Sequence, residues 1–153
     1  MTKDILLKIK GLQFLENSTE TDESAAEAIE IITAARYFEK NGNHYIKYDE
    51  VLEGFDGTIK NLIKIGDDHL EVSKRGLTNI NMIFEKNKKN MTYYDTPMGN
   101  LLVGISTTAI NVNTEPNIID IKVDYALEIN YEHLADCSIS MNIQSKNKEA
   151  QLF

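Results

Sequence analysis

IDIKVDYALEINY, residues 119–131, is the stretch that decides the fold. Ile119, Ile121, Val123, Tyr125, Leu127, Ile129 and Tyr131 hold every odd position. Asp120, Lys122, Asp124, Glu128 and Asn130 stand between them, with Ala126 the one exception. A period of two belongs to a pleated strand with one dry and one wet face, whereas a helix repeats every 3.6 residues. At roughly 3.3 Å per residue the segment reaches about 40 Å, a length that suits a barrel wall.

The same alternation continues on both sides. Downstream, Cys137, Ile139, Met141 and Ile143 point one way and Ser138, Ser140, Asn142 and Gln144 the other. Upstream, a long strand from Leu101 to Asn113 ends at Glu115-Pro116-Asn117, and Thr96-Pro97-Met98-Gly99 has the composition of a β-turn. Shorter alternating runs lie at Asp4–Phe14, Thr58–Ile65, Leu70–Lys74, Ile80–Glu85 and Met91–Asp95, punctuated by Gly54, Gly57, Gly66 and Gly76. The run AAEAIEIITAARYFEK (25–40) is ambiguous, because Ala and Glu favour a helix while Ile29, Ile31, Thr33, Ala35 and Tyr37 keep the period of two. Asn41-Gly42 behind it is a strong two-residue hairpin signal. Its partner HYIKYDE (44–50) is extended, so the segment is read as strand from about Glu27, with a helical first turn at 25–28 left open.

About ten strands with short connections predict an antiparallel up-and-down meander. Rolling it into a barrel removes both edges and buries the apolar face. The expectation is therefore an all-β chain, 1–153 forming a single β-barrel domain of about 8–10 strands. The acidic stretch 16–26 is expected as a mobile loop and 146–153 as a frayed tail.

The bulk numbers limit function. A net charge of −8 is opposite in sign to that of most nucleic-acid binders. It also discourages anionic membranes, so neither partner is expected. Lys86, Lys88 and Lys89 form a basic cluster that reads as a solvated hairpin tip. One cysteine, Cys137, allows no internal disulfide, no run approaches the ~18 apolar residues of a membrane span, and the first residues alternate rather than forming a signal-peptide core. A cytoplasmic monomer or homodimer is expected.

Catalytic and metal signatures are missing. His44, His69 and His133 are far apart, and no C-x-x-C or H-E-x-x-H spacing occurs. Cys137 shares the parity of an alternating strand, the setting of a small buried hydrophobe. No nucleophile elbow or phosphate loop is present. No catalytic residue, metal ligand or cofactor is assigned.

RYFEKNGNHYIKYDE (36–50), Lys74-Arg75-Gly76, MIFE (82–85), YYDTPMG (93–99) and the two long terminal strands together resemble the YwiB-like family of uncharacterised bacterial proteins. The resemblance runs from Ile5 to about Ser145. It implies a calycin-type, lipocalin-like barrel and points to Tyr37, Tyr48, Glu50, Arg75, Phe84, Tyr94, Thr96, Pro97, Gly99 and Thr107. Met98 stands where the family has an aromatic residue, and Ala34-Ala35 where it has Glu-Gly.

Parity adds one constellation. If Ile46 and Tyr48 point inward, Glu50 sits inside or at the mouth, and a carboxylate there needs a cation or donors. Arg75 is the candidate partner. Tyr37, Tyr48, Glu50, Arg75, Tyr94 and Thr107 form the candidate ligand-binding set, and a structural ion pair closing one barrel end is the competing reading. Two functions follow. One is a non-enzymatic protein that binds a small apolar or amphipathic ligand in the barrel. The alternative is a filled barrel that acts through its surface or by homodimerisation, with Phe38, Phe55 and Tyr93 outward.

Overall fold

Pairing of the first strand with the last turns the meander into a ring. In the computed structural model, residues 1–15, 26–51, 53–97 and 99–146 are described. Most of the acidic stretch 16–26, together with Met98 and the tail beyond Lys146, lies outside them. Ten strands follow one another: β1 (Asp4–Leu15), β2 (Ala26–Lys40), β3 (Asn43–Val51), β4 (Thr58–Ile65), β5 (His69–Gly76), β6 (Ile80–Glu85), β7 (Lys88–Thr96), β8 (Gly99–Glu115), β9 (Ile118–Ile129) and β10 (Glu132–Ser145). The described residues contain no helix, and the ambiguous second segment is strand from Ala26.

All ten strands belong to one antiparallel sheet, in the order β6-β5-β4-β3-β2-β1-β10-β9-β8-β7. Each strand therefore neighbours its sequence neighbours, as a meander requires. β1 and β10 are matched from Ile5↔Ser145 to Leu15↔Ala135 and join the two halves. The ring lacks a ladder only between β6 and β7. There a single bridge joins Asn79 and Asp95, through backbone hydrogen bonds of 2.7 and 2.8 Å. Nearer the β6–β7 turn, the Asn90 side-chain amide donates to the Ile83 carbonyl at 3.2 Å. The barrel is nearly closed, with one seam.

The core follows strand parity. Ile5 and Leu7 of β1, Ile46 of β3, Ile63 and Ile65 of β4, Leu70 of β5, Phe84 of β6, Ile105 of β8, Ile119 and Val123 of β9, and Ile143 of β10 are fully buried. Burying each such side chain is worth about 1.5–3 kcal/mol. Phe84 meets Tyr125 edge-on, with ring centroids 5.0 Å apart.

Local backbone chemistry sets the turns. Asn41 and Gly42 both have positive φ (54° and 80°), as the hairpin signal requires. Asn130 and Tyr131 also have positive φ (50° and 71°). They form the two-residue connection from Ile129 to Glu132, and this corrects the sequence expectation. Tyr131 continues the odd-position pattern but is 75% exposed in a turn, not inside the barrel. A second irregularity lies in β8, where the register against β9 shifts between Thr107 and Ala109. This bulge moves the inward set from Val103, Ile105 and Thr107 to Ile110 and Val112.

Gly76 ends β5 with φ +130°. A Cβ there would overlap the Thr58 carbonyl oxygen of the neighbouring strand. Gly76→Ala is expected to lose about 3 kcal/mol of stability, since it combines a disfavoured φ with a backbone clash. Urea denaturation checks this, and an unchanged midpoint would contradict the role given to Gly76.

Candidate functional site

The inward parity that buries Ile46 and Tyr48 on β3 carries Glu50 to one end of the barrel, and the neighbouring strands bring two more polar groups to it. On β4 the inward set is Ile59, Asn61, Ile63 and Ile65. On β5 it is Leu70, Val72 and Lys74. Asn61 stands opposite Tyr48 in one ladder and opposite Lys74 in the next. Three adjacent strands thus converge on one polar cluster inside an apolar wall.

The Lys74 ammonium donates to Glu50 Oε1 at 3.0 Å and to Asn61 Oδ1 at 2.8 Å. The Asn61 amide donates to Glu50 Oε1 at 3.2 Å and to the Ile59 carbonyl at 3.4 Å. Asn61 is only 3% exposed, and the Lys74 and Glu50 side chains are 23% and 32% exposed. Burial by itself would raise the Glu50 pKa. The hydrogen bond and positive charge of Lys74, with the Asn61 amide, outweigh it and hold the carboxyl below its ordinary value. Tyr48 is pushed up to about 12 by burial, with the Glu50 charge adding to the shift.

Lys74, not Arg75, therefore answers the Glu50 carboxylate. Arg75 is odd-numbered on a strand whose inward positions are even, so it lies exposed on the outer wall. The remaining candidates are dispersed. Tyr37 lies toward the opposite end, its hydroxyl 2.6 Å from His44 Nδ1, beside a cleft of about 300 Å³. Tyr94 packs against the core from β7. Thr107, on β8, is 2% exposed, and its hydroxyl has no hydrogen-bond partner among the described residues. Only Tyr48 and Glu50 of the six come together. Asn61 and Lys74 escaped the sequence reading, although the parity rule applied to Glu50 would have found both.

A cleft of about 550 Å³ lies where β6 and β7 part. Both parities contribute to its lining: Lys74, Ile80 and Thr92 from the inward set, and Ser73, Asn81 and Tyr93 from the outward set. A cleft lined from both sides of a sheet is an opening in the wall. Lys74, whose side chain is 23% exposed, is among its lining residues, and its ammonium has given two of its three protons to Glu50 and Asn61.

No group of three or more His, Cys, Asp or Glu side chains among the described residues is placed to hold a metal ion. Cys137 is 8% exposed, and burial pushes its thiol up despite a hydrogen bond from Tyr125, the reverse of nucleophile activation.

Glu50 and Tyr48 set opposite pH limits. A depressed carboxyl pKa adds stability that is complete above the ordinary value of 4.5 and is lost as pH falls through the lowered folded value. The stability difference between wild type and Glu50→Gln should shrink on acidification, by no more than about 1 kcal/mol because the pair is partly solvated. A raised Tyr48 pKa adds stability that is complete below 10 and lost as pH rises toward about 12. Tyr48→Phe should therefore flatten the alkaline limb of the stability profile. A pH series of melting curves decides both, and parallel profiles would contradict them.

Comparison with known proteins places the chain among β-barrels of the same shape. The profile of a family described as a domain of unknown function (DUF1934) matches residues 14–141. A relative named "Uncharacterized beta-barrel protein YwiB", from Bacillus subtilis (strain 168), is 26% identical over 121 residues, 78% of this chain and 84% of that protein. The crystal structure of the ywiB protein from Bacillus subtilis matches with a TM-score of 0.78 and 20% identity, over 95% of this chain and 93% of that one. At that identity the likeness is one of fold.

Proposed function

This chain belongs to the DUF1934 family of β-barrel proteins, and from that premise we propose that it is a non-enzymatic, lipocalin-like binding protein for a small amphipathic ligand with an anionic head. The observation that carries this reading is the Lys74 ammonium at the seam cleft, anchored from below by Glu50 and Asn61 with a proton left to donate. The head of the ligand meets the Lys74 and Arg75 cations, away from the Glu71 and Asp95 carboxylates of the same lining. Its apolar part lies along Ile80 and turns toward Met82, which shares the inward parity of β6. The ligand occupies the mouth and seam rather than the centre, because Ile5, Leu7, Ile46, Ile63, Phe84 and Val123 leave the middle of the barrel at 0% exposure.

The same cluster argues against catalysis. General acid–base work favours groups that titrate near the operating pH. Glu50 is held below the ordinary carboxylate range and Tyr48 is pushed up to about 12, so neither exchanges a proton readily at neutral pH. A cytoplasmic monomer or homodimer agrees with the lone buried thiol. The well-filled centre favours the second reading, a barrel that acts through its surface. Phe38, Phe55 and Tyr93, the exposed aromatics it would use, lie on β2, the β3–β4 connection and β7 rather than in one patch.

Anilinonaphthalene sulfonate, an anionic amphipathic fluorophore, separates the two readings. Wild type should bind it with micromolar affinity. Lys74→Met should weaken binding about tenfold, or 1.4 kcal/mol, while the protein still melts cooperatively. Lys88→Met, at the hairpin tip, should change nothing. Absence of binding, or equal binding by Lys74→Met, would remove the ligand reading and leave the surface one.

A further inference from the structure

The outer wall formed by β2, β3, β4 and β5 carries charge of the opposite sign to the chain as a whole. Arg36, Lys47, Lys60 and Arg75 are exposed on it, one from each strand. Arg36 is matched with Lys47 and Lys60 with Arg75. Lys47 and Lys60 are diagonal neighbours, because Lys47 is matched with Leu62 and Asp49 with Lys60. Directly matched side chains on one face of a sheet lie about 5 Å apart and diagonal ones about 7–8 Å. The four cations therefore form a continuous stripe across four strands.

None of the four has a carboxylate within ion-pair distance among the described residues. Asp49, matched with Lys60, lies within the stripe, and Asp4, matched with Arg36, lies at its β1 end. Like charges placed side by side on a sheet are destabilising, and in a chain with 24 acidic residues such cations normally find counter-charges. Asp49 opposite Lys60 and Asp4 opposite Arg36 offset that cost only in part, since neither comes within ion-pair distance. Two adjoining hollows of about 310 and 330 Å³ lie along it, with Lys47 and Asp49 common to both. Beside Arg36 and Lys47, one step along their strands, Phe38 and Tyr45 stack with ring centroids 4.8 Å apart and planes 2° from parallel. Phe38 is 39% exposed, and the Lys47 ammonium lies 5.7 Å from its ring centroid.

We propose that this wall binds single-stranded nucleic acid, with successive phosphates on the Arg36–Lys47–Lys60–Arg75 stripe and a base against the Phe38–Tyr45 pair. A line of cations matches a polymer that carries one charge per unit. Aromatic rings beside such a line offer the second contact that single strands use and simple polyanions do not. An anionic membrane is disfavoured, because the exposed apolar side chains of this wall, Ile32, Phe38 and Val51, lie on strands rather than on one amphipathic helix face. The net charge of −8 opposes approach at long range, but at physiological salt fields fade within about 8 Å, so the stripe governs what happens at contact. Binding is accordingly modest and steeply salt-dependent. It shares Arg75 with the lining of the seam cleft but not the inward Lys74, so Lys74→Met leaves it unchanged.

The test is fluorescence anisotropy of a labelled oligothymidylate of about ten nucleotides. Four phosphate contacts predict a slope of about −2.8 for log K against log salt. Lys47→Glu with Lys60→Glu should weaken binding at least tenfold and halve the slope, and the milder Gln pair gives the same direction should the Glu pair fold poorly. Tyr45→Ala should weaken binding about fivefold or more with the slope unchanged. Three results would each overturn the proposal: no binding at low salt, binding indifferent to Tyr45→Ala and matched by inorganic polyphosphate, or stronger binding to phosphatidylserine vesicles than to the oligonucleotide.

Discussion

The ladder between β1 and β10 is the contact on which everything else depends. It joins residues more than a hundred positions apart, from Ile5↔Ser145 to Leu15↔Ala135. Every other ladder links strands adjacent in sequence and is closed by a short connection or by the stretch 16–25. Without this pairing the chain is two open meanders whose apolar faces meet water. With it, the side chains of Leu7, Ile143, Ile121 and Val123 enter one shared interior. The terminal strands continue the tie beyond the ladder, as the Lys146 amide donates to the Asp4 carbonyl at 3.0 Å. Long-range pairing carries a large loop-closure cost, so it is expected late in folding.

Closing the ring at the termini moves its weakest point to the opposite side. β6 and β7 are joined by a two-residue connection, yet among the described residues they are tied by the Asn79–Asp95 bridge, the Asn90 amide and the Glu85–Lys88 ion pair rather than by a ladder. The seam is what gives the interior an opening. It falls beside β5, the strand that carries Lys74. The Glu50–Asn61–Lys74 cluster satisfies its own hydrogen bonds, as a buried polar network must, and still presents an ammonium to the cleft. The Glu50–Lys74 ion pair fixes the position of that ammonium.

Charge tells a parallel story on the two faces of the same strands. Lys74 and Arg75 are sequence neighbours, yet one enters the barrel and the other joins an outer basic stripe. Bulk charge speaks against polyanions, while local placement on β2 to β5 concentrates four cations that have no carboxylate within ion-pair distance among the described residues. Thr107 marks a different kind of tension. Its buried hydroxyl lacks a partner among the described residues, which costs about 1–3 kcal/mol, and the β8 bulge directly after it turns Thr108 outward.

The sequence by itself determined the architecture. Alternation in 119–129, the Asn41-Gly42 turn and the spacing of glycines specify strands, hairpins and parity, because each depends only on local backbone geometry and on which face is dry. Parity also contained the inward placement of Asn61 and Lys74, had it been applied to every strand. It misled only where a turn interrupts the pleat, as at Tyr131, whose backbone has left the strand. Tertiary structure alone decided which groups meet: Lys74 rather than Arg75 against Glu50, Tyr37 far from both, and the seam between β6 and β7. Those outcomes depend on the register of neighbouring strands and on where the ring closes, and both are set by the fit of ten strands packed together, not by any one segment.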